Sequence, residues 1–407
     1  MEMNMNKNTI TEDQMINMAK NAVIKQTETV NNAVVPVEGN MNAPTRKILL
    51  IGTGDGGCNI ASAIHAAIPE TVFAAYNTSS KAMKNRKPNV TITPKGEDGS
   101  GKARDYSKEV FKNNVFKRVL ETIQNLLDTI GDVDYILITS TCDGGTGGGI
   151  SPMLAELLID NIRIPVLLMG VYPSLSDDAK AQYNALEWQD EVLRNHIPYI
   201  ILDNQDDSNK PRLVVQKKVN DQAVEIAKIL VGTPFGETKI SSIDNRDMAM
   251  LLHNRGERIV VYSTDKRPTL GKSLDEFLLS LAAQWNEPIP VDAQGYGLFV
   301  KGPMDFIQNV DTTLANIRTV YGEAVLQYTH IEDSGESSDI KVALIAAGCS
   351  EPADRMMQMR QRYDDIIAAT KRAESRSSAL RDGMNDPAAY KKETSANAEP
   401  NYTALDI

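Results

Sequence analysis

Short apolar runs recur through the first half of the chain, and most are followed by a segment whose apolar residues have helical spacing. Runs of this length, bounded by polar and glycine-containing segments, are typical of buried strands. They lie at residues 48–52, 72–76, 90–93, 135–140, 165–170 and 199–202. Strands that alternate with helices form parallel sheets covered by helices on both faces. The pattern therefore predicts an α/β fold with a Rossmann-like parallel sheet over residues 46–210.

The pattern changes after residue 210. Residues 211–235 carry apolar residues at helical spacing and are predicted to form one long central helix. Residues 236–350 are predicted to form a second, α+β domain with a helix at 273–285. The strands predicted in this second domain lie at 258–262, 297–301, 324–331 and 340–347.

The two ends of the chain differ from its middle. Residues 1–45 are rich in Asn, Thr and Lys and are predicted to be a disordered leader. Residues 351–376 are predicted to form a charged C-terminal helix, and residues 377–407 a flexible, disordered tail. The tail nevertheless ends in an apolar motif at residues 402–407, which a solvated segment does not need.

Composition narrows the class of protein. With 407 residues and a formal net charge of −11, the chain is long enough for two domains and too acidic for general nucleic-acid binding. Its three cysteines and four histidines are too scattered for a disulfide framework or a metal site, which predicts a reducing, cytoplasmic location. No apolar run approaches the roughly 20 residues of a membrane span. The N-terminus lacks the apolar core of a secretory signal.

The strand predicted at 135–140 leads into a glycine-rich loop and then a helix. Five of the six residues from Gly144 to Gly149 are glycine, Thr146 being the exception, and Pro152 stands in the first helical turn. Backbone without side chains lets several N–H groups point at one phosphate, and the helix N-terminus adds partial positive charge. We therefore predict a phosphate-binding loop here rather than a flexible surface loop.

A second glycine loop follows the first predicted strand. Residues 52–59, Gly-Thr-Gly-Asp-Gly-Gly-Cys-Asn, match the G-x-G-x-x-G pattern of dinucleotide-binding folds. An NAD-dependent enzyme needs an acidic residue about 20 positions further on, whereas the next predicted strand ends in Asn77-Thr78-Ser79. Two phosphate loops on neighbouring strands favour one nucleotide held at several of its phosphates. An NAD(P)-dependent Rossmann oxidoreductase remains an alternative.

These motifs resemble those of the tubulin/FtsZ superfamily of GTP-dependent filament proteins. Residues 143–149 are similar to its signature loop, with Asp143 and Gly148 as departures, and residues 52–59 are similar to its first nucleotide loop. Residues 77–79 resemble the second loop, with serine at the usual acid, and residues 96–104 the third, γ-phosphate-sensing loop. The resemblance runs from about residue 47 to about residue 373, and is greatest to the divergent phage- and plasmid-encoded tubulins of the TubZ and PhuZ types.

The resemblance implies that the chain binds GTP or GDP, with Mg²⁺ held mostly through phosphate oxygens and waters rather than by a dedicated protein site. The residues that it assigns to nucleotide binding in these motifs come from four loops. They are Gly54, Asp55, Gly56, Cys58 and Asn59 in the first, Asn77 in the second, Gly99, Ser100, Gly101 and Lys102 in the third, and Gly144, Gly145, Thr146, Gly147 and Gly148 in the signature loop.

Recognition of the base and the ribose follows from the same resemblance. Guanine offers hydrogen-bond donors at N1 and N2 that a carboxylate can accept, and adenine has no such pair. The residues at the matching positions are Asn59, Asn204 and Asp221, each of which by itself is also an ordinary turn or solvated helix residue. Asp177 lies where the family's fifth loop contacts ribose, although an ordinary turn there is equally consistent with the sequence.

Hydrolysis is assigned to Asp244 and Asp247, in a segment that resembles the family's catalytic loop, with Ser242 in place of its asparagine. The two carboxylates are three residues apart at a predicted helix start, so they lie on one side of the helix. Their plain interpretation is helix capping, worth about 0.5–2 kcal/mol. The resemblance implies instead that they enter the neighbouring subunit's nucleotide site and orient water.

The function predicted from the sequence is therefore a GTPase that polymerises head-to-tail into filaments, for positioning or segregating DNA or phage particles. Its partners would be copies of itself, with adaptor or lateral contacts through the C-terminal tail. A tubulin-like regulator that has lost hydrolysis is the second hypothesis, because Asp143, Gly148 and Ser242 depart from the family pattern. The oxidoreductase is the third.

Overall fold

A computed structural model describes residues 46–83, 86–94, 97–205, 210–232, 243–253, 258–264, 285, 289–290, 292–308, 312, 315, 326–335 and 340–385. The predicted leader at 1–45 lies outside the described residues, as does the predicted helix at 273–285 except for Trp285. The end of the predicted tail, from residue 386, also lies outside them.

The strands among these residues form one ten-stranded sheet in the order β3-β2-β1-β4-β5-β6-β7-β10-β8-β9. Neighbours from β3 to β7 are parallel, β10 runs antiparallel to both β7 and β8, and β9 is parallel to β8. The strands are β1 (Ile48–Thr53), β2 (Val72–Tyr76), β3 (Val90–Ile92), β4 (Tyr135–Thr141), β5 (Val166–Tyr172), β6 (Tyr199–Asp203), β7 (Arg258–Thr264), β8 (Gly295–Gly302), β9 (Leu326–Asp333) and β10 (Lys341–Cys349). The predicted α/β fold with a mainly parallel sheet is confirmed.

Helices connect the strands, and none in the described part of the chain is long and apolar enough to cross a membrane. They are α1 (Gly54–Ala67), α2 (Arg104–Val110), α3 (Phe116–Ile130), α4 (Thr146–Asn161), α5 (Ala179–Arg194), α6 (Arg212–Val231), α7 (Asn245–His253), α8 (Met304–Ile307) and α9 (Ala353–Asn385). One π-helical turn at Phe111–Val115 joins α2 to α3.

The parallel half of the sheet is buried on both faces, which explains why its strands are continuous apolar runs. On one face, Leu50 and its neighbours pack against α1, α6 and α7, where Ile64, Ile226 and Leu251 are buried. On the other face, Leu49 and its neighbours pack against α3, α4 and α5. Each fully buried aliphatic side chain of this kind contributes about 1.5–3 kcal/mol relative to exposure. Packing on both faces therefore stabilises one arrangement of the strands, and the loops at the strand ends are held at each edge accordingly.

The strands predicted for a second domain continue the same sheet. β6 pairs with β7 only at Tyr199↔Arg258 and Ile200↔Ile259, so the junction between the two halves is short. The pairing nevertheless satisfies backbone groups that an edge strand would leave open. The domain boundary near residue 236 stays a prediction.

Helix α9 is longer than predicted. It continues to Asn385, so residues 377–385, predicted as part of the flexible tail, are helical. This stretch contains Ala379, Leu380 and Arg381, which favour helix, and an existing helix extends by one hydrogen bond per residue without a new nucleation step.

Candidate functional site

The carboxyl ends of the parallel strands bring four predicted loops to one edge of the sheet. β1 ends at Thr53 opposite Tyr76 of β2, and Gly52 pairs with Thr139 of β4. The loop after β5 begins at Pro173, beside them. Ligands of open α/β sheets bind in the crevice beyond these carboxyl ends. We refer to this region, formed by residues 53–59, 77–79, 97–104, 141–149 and 173–178, as the carboxyl-edge crevice.

The first and signature glycine loops lie in direct contact. Gly54 has φ +68°, and a Cβ there would lie 2.6 Å from the backbone nitrogen of Gly147. A Cβ at Gly57 would lie 2.1 Å from the carbonyl oxygen of Thr139, a separation that no real side chain adopts. The glycines therefore let α1 and α4 begin side by side. Both helices begin at this edge, and the first N–H groups of a helix have no acceptor within it, so their N-termini meet the requirement of an anion site.

The second and third loops meet at the start of α4. The Thr146 hydroxyl lies 2.7 Å from that of Thr78 and 3.1 Å from that of Ser100, so three loops share one hydroxyl cluster. Gly99 and Gly101 have left-handed backbone conformations, as does Lys102. The structure thus brings together the residues that the sequence assigned to the phosphates.

Asn184 of α5 was not predicted, although it joins two of these loops. Its amide nitrogen donates to the carbonyl oxygens of Lys102, at 3.1 Å, and Asp143, at 2.8 Å, and the side chain is only 2 % exposed. Nothing in the helical pattern distinguishes this asparagine from a solvated one. Its role depends on contacts with residues 41 and 82 positions away.

Arg86 was also missed. Its guanidinium donates to Asp55 Oδ1 at 2.5 Å and to Asn59 Oδ1 at 2.8 Å, which neutralises an acidic side chain beside the first loop. Because arginine can only donate, the amide oxygen of Asn59 is the accepting atom. The amide nitrogen is then the group that Asn59 can offer to a base.

Two predicted binding residues have buried polar atoms without a partner in the described structure. These are the amide nitrogen of Asn77 and the amide oxygen of Asn204. A buried polar atom left unpaired costs about 1–3 kcal/mol, so a polar ligand that pairs with either atom gains that amount. This pattern fits a nucleotide in the crevice.

The remaining predicted contacts are already engaged or exposed. Asp177 accepts from the Ser174 backbone at 3.0 Å and pairs with Arg212 at 3.2 Å, so a ribose hydroxyl would compete with its own loop. Asp221 is exposed on α6 and pairs with Lys217 at 2.6 Å. Its role in binding a base stays a prediction.

The Cys58 side chain faces the core rather than the crevice. It is fully buried, and its thiol donates to the Gly52 carbonyl oxygen at 3.2 Å. Burial raises the pKa of this thiol to about 12, so it stays protonated. The predicted nucleotide contact of Cys58 can therefore involve only its backbone.

Burial also raises the pKa of the Asp143 carboxyl, against the opposing effects of a hydrogen bond from Thr141 and the positive charge of Lys102. The folded protein therefore holds this proton more tightly than the unfolded chain does. By linkage, the free energy of unfolding falls as pH rises from the ordinary aspartate pKa of about 3.9 through the raised pKa.

We expect Asp143→Asn to remove this pH dependence and to have a higher melting temperature than the wild type at about pH 7, where the wild type bears the cost of a half-buried charge. Asparagine keeps an acceptor for Thr141. Melting temperatures measured from about pH 4 to about pH 7 provide the test. A variant that is less stable than the wild type only at neutral pH would show that the ionised carboxylate stabilises the loop.

Asp244 and Asp247 lie at the opposite edge of the sheet. Asn245, between them, donates to Asp134 at 2.7 Å, and Asp134 directly precedes β4 while also accepting from the Lys47 backbone before β1. With about 3.3 Å per residue, the length of β1 and β4 puts this amino edge roughly 20 Å from the crevice. Within one chain, the structure does not bring the two aspartates to the predicted nucleotide loops.

At this edge the two aspartates cap α7. Asp244 Oδ1 accepts from the Asp247 backbone nitrogen at 2.7 Å, and Asp247 Oδ2 accepts from the Asp244 backbone nitrogen at 3.3 Å. This reciprocal arrangement is a capping box. It agrees with the plain interpretation of the pair and leaves one oxygen of each carboxylate outside the box.

Helix α9 contacts the end of β6 and the loop after β5, which forms part of the crevice. Arg355 donates to Asp203 at the end of β6 and, at 2.6 Å, to the carbonyl oxygen of Pro173, while Arg362 donates to that of Leu175 at 2.8 Å. These arginines tie the C-terminal helix to the loop that holds Asp177. No local pattern indicates this contact, which joins residues 152 to 187 positions apart.

Residues 47–207 match the model of the Tubulin/FtsZ family, GTPase domain. The tubulin-like protein TubZ of Clostridium botulinum C phage is 26% identical over 250 residues, which cover 58% of this chain and 65% of TubZ. The cell division protein FtsZ of Mycoplasmopsis pulmonis is 34% identical over 116 residues, which cover 28% of each chain. The chain thus spans less than two thirds of the length of either relative.

The fold is shared over a larger part of the chain. A GTPγS-form protofilament of TubZ from Bacillus thuringiensis serovar israelensis superposes with a TM-score of 0.65 at 18% identity, covering 84% of this chain and 96% of that one. At this identity the superposition establishes the fold alone. The matched segment contains all the loops of the carboxyl-edge crevice, so residues 47–207 form a GTPase domain of the Tubulin/FtsZ family.

Proposed function

We propose that this chain is a GTPase that assembles head-to-tail with copies of itself and hydrolyses GTP between subunits. One observation carries the proposal: the predicted phosphate loops and the predicted catalytic aspartates occupy opposite edges of one sheet. In a single chain they are separated, whereas stacking the amino edge of one copy on the carboxyl edge of the next brings them together. Such an interface is heterologous and does not close, so it generates open filaments.

The phosphates would lie at the adjoining N-termini of α1 and α4. Backbone N–H groups of the first loop and of Gly144 to Gly148 would bind them, with the Thr146, Thr78 and Ser100 hydroxyls alongside. Mg²⁺ would be held mainly through phosphate oxygens and waters, where it neutralises charge that develops on the phosphates. In the described part of the chain, no group of three His, Cys, Asp or Glu side chains is arranged to bind a metal.

The base would be selected by Asn59, Asn204 and Asp221. Arg86 leaves the Asn59 amide nitrogen as a donor, and the Asn204 amide oxygen is a buried acceptor without a partner in the described structure. Asp221 would accept from N1 and N2 of guanine. These roles discriminate guanine from adenine by hydrogen-bond polarity, because unpaired polar groups would remain with the wrong base.

Hydrolysis would depend on Asp244 and Asp247 of the next subunit. Their oxygens outside the capping box would accept hydrogen bonds from water and direct it toward the γ-phosphate. Assembly would then precede hydrolysis. We propose further that the filament is cytoplasmic and positions or segregates DNA or phage particles; one relative of the chain, TubZ, comes from a phage.

A second candidate function, a regulator without hydrolysis, is favoured by the position of Asp143. Its half-buried carboxyl lies in the signature loop, where a negative charge repels phosphates. An oxidoreductase is less well supported, because the acidic residue that would hold the ribose of NAD is missing after β2.

We expect GTP, and not ATP, to trigger assembly above a critical concentration, with phosphate released only after assembly. Light scattering and phosphate release recorded together provide the test. Equal assembly with both nucleotides, or with neither, would contradict the proposal. Assembly without phosphate release would favour the regulator, and NAD binding without GTP binding would favour the oxidoreductase.

We expect Asp221→Ala to weaken GTP binding by roughly 10- to 100-fold, because hydrogen bonds to a charged group contribute about 1.5–3 kcal/mol. Lys217→Ala is the matched control, since it breaks the same exposed ion pair, which is worth at most about 0.5 kcal/mol. Equal GTP affinities of the two variants in a monomer titration would remove Asp221 from the base site.

A further inference from the structure

Arg46, the residue that begins the described structure ahead of β1, contacts both ends of the segment that leads from α6 to α7. Its backbone N–H donates to the Val231 carbonyl oxygen at 2.9 Å, at the end of α6. Its guanidinium donates to the Ile243 carbonyl oxygen at 2.8 Å and to Asn245 Oδ1 at 3.0 Å. Only 8 % of Arg46 is exposed. The guanidinium therefore holds the residues on either side of Asp244.

Asp134 completes the arrangement. Its two carboxylate oxygens accept from the Asn245 amide nitrogen and from the Lys47 backbone nitrogen, both at 2.7 Å. Both ends of the Asn245 amide are thus engaged, the oxygen by Arg46 and the nitrogen by Asp134. This fixes the orientation of the Asn245 side chain and anchors the start of α7 to the starts of β1 and β4.

Capping alone does not account for this network. Asp244 and Asp247 already cap α7 through each other's backbone nitrogens. Burying a guanidinium costs desolvation free energy. Hydrogen bonds to a neutral amide and a carbonyl offset less of that cost than a carboxylate partner would. What the Arg46 contacts add is a fixed position of Asp244 relative to the sheet.

The position of Asp244 and Asp247 at this edge has a direct consequence for hydrolysis. Under the proposed function, Asp244 and Asp247 must reach a phosphate bound by another subunit, so their place relative to their own sheet sets their place in the neighbouring site. A displacement of about 1 Å in a catalytic group can cost roughly 100-fold in rate.

We infer that Arg46 is a positioning residue for hydrolysis, acting through Ile243 and Asn245 to hold the Asp244 and Asp247 carboxylates where the next subunit's nucleotide requires them. This inference rests on the proposed function and assigns that function a further residue. Arg46 does not contact the nucleotide of its own subunit, because it lies at the amino edge.

The test compares Arg46→Gln with wild type for GTP affinity of the monomer, melting temperature, and phosphate release per mass of filament. We expect GTP affinity within about 2-fold of wild type and phosphate release lowered by at least about 10-fold, in line with the cost of a misplaced group. Arg118→Gln is the control, because Arg118 is an exposed arginine of α3 that donates to the Thr93 carbonyl oxygen away from the amino edge.

A double variant separates positioning from a general loss of stability. If Arg46 acts only through the two aspartates, Arg46→Gln with Asp247→Ala hydrolyses GTP no more slowly than Asp247→Ala alone. Arg46→Lys should recover only part of the rate, because an ammonium lacks the fork that reaches Ile243 and Asn245 together. Should Arg46→Gln fail to fold, Asn245→Ala removes one of the same contacts and takes its place in every comparison.

The outcomes distinguish failure of the shared hydrolysis site from failure of the role inferred for Arg46. Wild-type filaments without GTP hydrolysis, or Asp247→Ala filaments at the wild-type rate, would overturn the shared site and this inference with it. A wild-type rate in Arg46→Gln, a multiplicative effect in the double variant, or a loss of GTP affinity in the Arg46→Gln monomer would overturn the inference alone.

Discussion

Asp247→Asn is expected to slow GTP hydrolysis in filaments by about 100-fold or more, because positioned acid–base groups contribute roughly 10²- to 10⁴-fold. Asparagine can still accept from the Asp244 backbone, so the capping contact at 3.3 Å is kept while the negative charge is lost. GTP binding by the monomer should be unchanged, since Asp247 lies at the amino edge. Filaments should form and persist, because GTP remains intact within them.

The measurements are phosphate release per mass of filament and the lifetime of filaments after free GTP is exhausted. Asp247→Ala is the companion variant, since it removes the charge and the cap together. It should hydrolyse as slowly as Asp247→Asn and be less stable by about 0.5–2 kcal/mol. A wild-type rate in Asp247→Asn, with a slow rate in Asp247→Ala alone, would assign the residue to capping and not to hydrolysis.

A methyl group at Gly145 is expected to weaken GTP binding, and with it assembly, whereas the same group at the adjacent Gly144 should leave the fold intact. A Cβ at Gly145 would lie 2.4 Å from the Ser100 hydroxyl oxygen and 2.7 Å from the backbone nitrogen of Ala103, so the third loop would have to move away from α4. Overpacking of this kind costs about 1–3 kcal/mol. If the displaced loop contacts the γ-phosphate, the loss of GTP affinity should be roughly 10- to 100-fold.

Gly144→Ala is a closely matched control. Its Cβ would meet nothing nearer than the Thr141 hydroxyl oxygen at 3.4 Å, which is ordinary contact, so its stability should stay within about 0.5 kcal/mol of wild type. Monomer GTP titrations and melting temperatures of the two variants provide the test. Similar GTP affinities for Gly145→Ala and wild type would show that the third loop does not need its contact with the signature loop.

Much of the fold follows from local pattern. Both faces of the parallel half are covered by helices, so its strands had to be continuous apolar runs, and β2 at Val72–Tyr76 has the bounds that were predicted. The two glycine loops were identifiable for a related reason. Gly54 and Gly57 approach neighbouring backbone too closely for any side chain, and such a requirement leaves a mark on the sequence itself.

Contacts between distant residues could not be predicted from the local sequence pattern. Arg46 and Asn245 are 199 positions apart, and Arg355 and Asp203 are 152 apart. An arginine or asparagine has the same local pattern whether it is solvated or buried against a distant partner. Which it becomes depends on strand order and helix packing. The exact end of α9 could not be predicted either, because helix extension depends on small propensities summed over many residues.

The α/β class, most strand positions, the glycine loops and the residue types available for chemistry could be predicted from the chain, because periodicity and glycine requirements are local properties. The edge that each group occupies could not, because it depends on the assembled sheet. The tertiary structure placed the phosphate loops together at the carboxyl edge and Asp244 and Asp247 at the amino edge, where Arg46 and Asp134 anchor them. The strand order of the sheet and the direction of each strand set this separation, and neither is encoded at any one position.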